Sequence, residues 1–212
     1  MTEYSTSTLN QQIPADKVIS PARLHHVSLK TTRFEELRAF YTTLLGIHSN
    51  AEVGTLGWYS YDYANHRLAL VQLPPFTEHM PLSSGMHHVA FEYDSLDDLM
   101  HTYLRLKALD ILPDTVLNHG LTTSFYYLDP DGNYVELQVD NWDAEAKGST
   151  AFMQTPEFLA NPIGVPINLD RYTEAWRQGA TLQILHERSW AGEFAEGAPP
   201  VFGGEVPLPP PQ

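Results

Sequence analysis

"LHHVSLK" at residues 24–30 and "MHHVAFE" at residues 86–92 present one pattern twice, about sixty residues apart: a histidine pair and then a strand-like alternation. The segments downstream of the two copies match as well. After the first, "FEELRAFYTTLL" (34–45) has Phe34, Leu37, Phe40, Tyr41, Leu44 and Leu45 at helical spacing, and Gly46 is a natural stop. An extended piece over 47–53 leads into two strand-like runs, "GWYSYDYA" (57–64) and "HRLALVQL" (66–73), with a turn at Asn65. After the second, "SLDDLMHTYLRLKAL" (95–109) is a helix opened by Ser95, with Asp98 at the capping-box position. "ILPDTVL" (111–117) is extended, and "SFYYL" (124–128) and "YVELQV" (134–139) flank "DPDGN" (129–133), a tight hairpin turn.

The chain therefore carries two tandem βαβββ modules, at 23–73 and 86–140, within a domain spanning 23–142. The fold expected is α+β: the modules form a curved mixed sheet around a shared cleft. Residues 1–22 read as a polar N-terminal arm without periodicity, and 143–212 as a C-terminal extension. That extension has one short helix candidate at 169–178 and a Pro/Gly-rich end, "APPVFGGEVPLPPPQ", expected to be an extended tail packed on the domain or on a partner subunit.

Bulk properties narrow the chemistry. With no cysteine among 212 residues, disulfides, thiol nucleophiles and thiolate metal sites are excluded, so any metal is held by His, Asp or Glu. A formal charge of −14 without a basic stripe argues against nucleic-acid binding. No apolar run has membrane-spanning length, the start has no signal-peptide core, and no Asn-x-Ser/Thr acceptor occurs, so a soluble, cytoplasmic protein is expected, with no membrane partner.

Alternation lets only one histidine of each pair face inward. Alignment of the copies by their apolar neighbours matches His26 with His88, Val27 with Val89, and Leu29 with Phe91. Modules paired about a pseudo-twofold axis would bring His26 and His88 into one cleft. Glu136, in the last strand-like run, is an acid among apolar neighbours, where a cation would offset the cost of burying its charge. Its counterpart in the first module is Ala69. Two histidines and one carboxylate, with further positions left open, suit non-haem Fe(2+). His25 and His87 then face outward or support the ligands.

"HHVSL" (25–29), "FYTTLLGI" (40–47), "HHVAFE" (87–92) and "DPDGNYVEL" (129–137) together resemble the vicinal oxygen chelate superfamily, which includes glyoxalase I, bleomycin-resistance proteins and type I extradiol dioxygenases. The resemblance covers about residues 23–142 and is most specific in the last segment. It implies that His26, His88 and Glu136 take the places of the iron ligands of a single-domain extradiol dioxygenase. Tyr126, ten residues before Glu136, matches that subfamily's tyrosine beside the iron, which hydrogen-bonds the substrate. His119 in "NHGLTTSFYY" resembles its proton-handling histidine, while His79 is a weak match for a further one. Tyr126 as plain core and His119 as an ordinary loop residue are the alternatives.

The activity implied is opening of a catechol ring by O2, on a 2,3-dihydroxybiphenyl-like or polycyclic phenolic substrate, as in the catabolism of aromatic compounds. Trp58, Tyr59, Tyr61 and Phe125 are available to line an apolar cavity. Two other functions share this fold: a glyoxalase-type isomerase or lyase, for which Ala69 leaves a fourth ligand missing, and a non-catalytic small-molecule binder, which would not need the ligand trio. Two modules in one chain complete a site, so a monomer suffices, while a homodimer through a sheet edge or the tail is compatible.

Overall fold

The computed structural model describes residues 18–78, 80, 84–142 and 148–204. The first module runs β1 (Val27–Lys30), α1 (Phe34–Leu45), β2 (His48–Val53), β3 (Leu56–Ser60) and β4 (Leu68–Val71). The second repeats it as β5 (His88–Glu92), α2 (Leu96–Lys107), β6 (Thr115–Asn118), β7 (Thr122–Leu128) and β8 (Tyr134–Asp140). Helix α1 has the predicted limits because Phe34, Leu37, Tyr41 and Leu44 bury one stripe and Gly46 ends it at φ 67°, its N–H closing on the Thr42 carbonyl. Helix α2 starts as predicted, with the Ser95 hydroxyl oxygen accepting from the Asp98 N–H at 3.1 Å.

The α+β arrangement of two mixed-sheet modules holds, but the ladder is divided between two sheets. One has strand order β1-β4-β3-β2 and the other β5-β8-β7-β6, in each case with the first and last strands of the module parallel. Strands β1 and β5, in different sheets, flank a groove lined by His26, Val27, Val89 and Phe91. The Tyr61 and Phe91 rings meet edge-on there at 6.0 Å. Registers are the same in both sheets: Ser28 lies opposite Ala69, and Ala90 lies opposite Glu136. The two backbones thus superpose Ala69 on Glu136, the correspondence read from sequence.

One apolar core serves both modules, joining Leu37, Tyr41 and Leu44 of α1 to Leu99, Met100 and Leu106 of α2 and to Leu70, Phe125 and Leu137 of the sheets. Each such side chain contributes about 1.5–3 kcal/mol relative to exposure. Polar ties fix the relative positions of the modules. The Arg105 guanidinium donates to the Thr43 and Leu44 carbonyls at 2.7 and 3.1 Å, satisfying the open end of α1. The Tyr41 hydroxyl donates to Asp129 Oδ2 at 3.1 Å, and Arg33 reaches the Pro130 carbonyl. Asp129 in turn holds the "DPDGN" turn, its Oδ1 accepting from the N–H groups of Asp131 and Asn133 at 2.9 and 2.8 Å.

Several extended runs are shorter than predicted. The piece at 111–117 joins the sheet only at Thr115, after Pro113, which has no N–H for a ladder. The run at 57–64 leaves the sheet after Ser60, where Asp62 turns back to bond Arg67 Nη2 at 2.8 Å. Strand β1 starts only at Val27, so His25 and His26 lie before it.

The extension is mostly helical up to Trp190. It comprises α3 (Gly148–Phe152), α4 (Pro156–Ala160), β9 (Val165–Pro166), α5 (Leu169–Arg177), α6 (Leu182–Trp190) and a 3-10 turn at Val201–Gly204. Helix α5 matches the candidate at 169–178, whereas α6, capped by Thr181, was not expected. Strand β9 adds to the second sheet beside β6, and Ile167, Tyr172, Leu185 and Phe194 enter the core. No helix among the described residues is long and apolar enough to cross a membrane.

Candidate active site

In the second sheet, Ala90 and Tyr126 both lie opposite Glu136, so His88, Ala90, Tyr126 and Glu136 share one face. The other face, with Val89, Val135, Leu137, Phe125 and Tyr127, belongs to the core. His88 Nε2 stands 3.0 Å from Glu136 Oε2, and the Glu136 side chain is only 5% exposed. Burial disfavours that carboxylate, but hydrogen bonds from His88 and Ser124 outweigh it and hold its carboxyl below the usual range.

This donor pair fits a divalent cation. A buried carboxylate facing an imidazole nitrogen offers one oxygen and one nitrogen donor, the ligand types such a cation takes.

Next to the pair, the Tyr126 hydroxyl lies 2.8 Å from His119 Nε2. The other imidazole nitrogen, Nδ1, lies 2.6 Å from the Ile163 carbonyl oxygen. A carbonyl can only accept, so Nδ1 carries the proton and Nε2 presents a lone pair toward Tyr126. Burial lowers the His119 pKa, opposed by the Glu136 charge and the Ile163 carbonyl, and the imidazole is held neutral near neutrality. Burial and the Glu136 charge raise the Tyr126 pKa, so the phenol stays protonated. The result is a neutral base paired with a protonated phenol beside the acid–histidine pair. His119 and Tyr126 thus meet through their side chains on the face that carries His88 and Glu136.

His26 does not join this group. Among the described residues, one set of three His, Asp or Glu side chains has ligand atoms within 4.8 Å of each other, and it is His25, His26 and His66. His25 and His26 Nδ1 atoms are 3.1 Å apart, and the rings of His26 and His66 are 4.2 Å apart. The difference from His88 is local: His88 is the first residue of its strand, whereas His26 precedes β1 and is free to turn toward its neighbours. His87 packs edge-on against His88, Nδ1 to Nδ1 at 2.8 Å. His79 lies outside the described residues. Of the four aromatic residues considered for a cavity lining, Tyr59 and Phe125 are in the core instead, because their strand positions face the helices.

The extension supplies what sequence reasoning missed. Ile163 acts through its backbone, in a loop that Asn161 closes by donating from Nδ2 to the Gly164 carbonyl at 2.7 Å. Gly164 has φ 92°, and a Cβ there would fall 2.2 Å from the Asn118 carbonyl oxygen. Behind the His119 loop, Asn118 Oδ1 accepts from Gly120 N–H at 2.9 Å and from Trp190 Nε1 at 3.0 Å, tying α6 to the site. The signal available in sequence was Asn161-x-x-Gly164, a turn pattern, but not what the turn would face.

The chain belongs to the glyoxalase/bleomycin resistance protein/dioxygenase superfamily, whose model matches residues 23–137. It is 39% identical over 175 residues to biphenyl-2,3-diol 1,2-dioxygenase 2 of Rhodococcus globerulus, covering 82% of this chain and 92% of that protein. Biphenyl-2,3-diol 1,2-dioxygenase 3 of the same organism is 37% identical over 171 residues, with 80% and 90% covered. A match of 175 residues cannot fit within 1–137, so the similarity continues into the extension.

Proposed function

We propose that this protein is an extradiol ring-cleaving dioxygenase for a catechol of the 2,3-dihydroxybiphenyl type. The observation that carries the reading is the placement of the His88–Glu136 pair and the His119–Tyr126 pair side by side on one sheet face. Support comes also from relatives named as biphenyl-2,3-diol dioxygenases, whose match spans most of the chain.

His88 and Glu136 would hold Fe(II), with His26, which here turns toward His25 and His66, as the third ligand once its ring swings into the cleft. Bound there, Fe(II) supplies a site where a diol and dioxygen meet and exchange electrons. The chain's own groups handle position and protons. His119 Nε2, unprotonated and turned outward from the Ile163 carbonyl, accepts a proton from a substrate hydroxyl. The diol would displace the Tyr126 hydroxyl from His119 Nε2, and Tyr126 would then donate its one hydrogen bond to a substrate oxygen and fix the ring's orientation. In the net reaction both atoms of O2 enter the ring-opened product, so no external reductant is required. The glyoxalase-type alternative lacks support, because the residue superposed on Glu136 is Ala69.

The test is anaerobic loading with Fe(II), then oxygen uptake and visible absorbance with 2,3-dihydroxybiphenyl. Wild type should consume oxygen and form a yellow product. His88→Ala and Glu136→Gln should lose both activity and bound iron, and His26→Ala should weaken iron retention. Iron binding through these residues without oxygen uptake on any catechol would sink the reading.

A further inference from the structure

We infer that Phe202, carried back over the site by the C-terminal segment, is the wall against which the second ring of a two-ring diol packs, so that it sets the preference for two-ring over one-ring catechols. The inference rests on the ring-cleaving reading above.

Phe202 sits on the catalytic face of the second sheet. Its ring centroid is 5.1 Å from that of Tyr126, 5.2 Å from Tyr134 and 4.8 Å from His87, with interplanar angles of 78°, 67° and 84°. These are edge-to-face contacts, the arrangement that aromatic quadrupoles favour. Tyr126 is the residue whose hydroxyl meets His119, so Phe202 stands one ring away from the group that orients the substrate.

The position is specified rather than incidental. Phe202 has φ 47°, a left-handed conformation that a bulky residue rarely adopts. Its N–H donates to Thr115 Oγ1 at 2.7 Å, and Thr115, fully buried, lies opposite Tyr126 in the sheet. Despite this anchoring the side chain is only half-buried and is not part of the main apolar core. A bulky ring held in a strained backbone, partly open to solvent and beside the catalytic pair, has the form of a binding surface. Val201–Gly204 lies beyond the superfamily model, which ends at residue 137, so the wall is not a feature of the shared modules.

The test compares 2,3-dihydroxybiphenyl with catechol in Fe(II)-loaded wild type, Phe202→Ala, Phe202→Gly and Phe202→Tyr. Phe202→Gly removes the ring while easing the positive-φ backbone, and Phe202→Tyr keeps the ring. Anaerobic binding of each diol, monitored by protein fluorescence, gives a readout independent of turnover.

For both ring-removing variants the expected result is a fall of about 10-fold in kcat/KM and in affinity for 2,3-dihydroxybiphenyl, with catechol changed by no more than about 2-fold and Phe202→Tyr near wild type. Equal effects on both diols, no effect on either, or a gain for the two-ring diol would overturn the inference alone. If wild type consumes no oxygen with either diol, the ring-cleaving reading falls and this inference falls with it.

Discussion

His119 donates its Nδ1–H to the carbonyl of Ile163, 44 residues further along the chain, and this 2.6 Å bond decides which imidazole nitrogen is the base. The tautomer of His119 is thus set by a backbone group from outside the two modules. Two measurable consequences follow from this bond, and two further predictions concern contacts elsewhere in the fold.

His119→Ala removes the base and leaves the His88–Glu136 pair untouched. The expected loss is about 10²–10⁴-fold in kcat, with diol affinity little changed, measured by oxygen uptake and anaerobic binding. Burial holds the His119 pKa below 6.5, so the neutral, active form persists as the pH falls through 6.5. The acid limb of kcat/KM in wild type should therefore lie below pH 6.5. A limb above that value would count against His119 as the base.

Gly164→Ala places a Cβ 2.2 Å from the Asn118 carbonyl oxygen at a φ of 92°. The loop must shift, at a cost of about 1–3 kcal/mol, and Ile163 moves with it. Thermal unfolding should show the lost stability, and kcat should fall further than a stability loss alone accounts for. The His119 ring nitrogens in an NMR spectrum should show a mixture of tautomers where wild type shows one.

Tyr41→Phe deletes the hydroxyl that reaches Asp129 across the module boundary at 3.1 Å. Asp129 is buried and keeps its bonds within the turn, so the loss is that of one hydrogen bond to a charged group, about 1.5–3 kcal/mol. Urea unfolding should show the midpoint lowered and the slope unchanged.

Asp62→Asn tests the loop that carries His66. The hydrogen bond from Arg67, with help from the Ala64 N–H, pulls the Asp62 pKa from 3.8 to about 2. A folded-state pKa below the unfolded value means that this stabilisation is complete above about pH 4 and fades as the pH falls toward 2. The difference in melting temperature between wild type and variant should accordingly be constant from pH 7 to 5 and shrink between pH 4 and 2. A gap that stays constant down to pH 2 would show that the carboxylate's charge contributes nothing there.

Much of the architecture was legible because its causes are local. The stripe of Phe34, Leu37, Tyr41 and Leu44 can bury itself only as a helix, and Gly46 can end it in the left-handed region. Ser95 could be read as a cap, and Asp129 to Asn133 as a turn, from residue type alone. The equivalence of Ala69 and Glu136 came from matching two alternating patterns, and the sheet registers agree with it. Misreadings arose where a strand's end depends on its neighbour. Nothing in "LHHVSLK" indicates that pairing begins at Val27, so the alternation was extended to His26, which turns instead toward His25 and His66.

The sequence by itself determined the repeated module, the absence of thiol chemistry, and the position of a buried acid on a strand beside a histidine-headed one. Periodicity, composition and turn chemistry act over a few residues, so a linear reading reaches them. Only the tertiary structure decided that the Ile163 carbonyl sets the tautomer of His119, that α6 braces its loop through Asn118, and that Phe202 returns to the face of Tyr126. Those are long-range contacts, and the first is made by a backbone atom that every residue possesses, so no choice of amino acid at position 163 announces it.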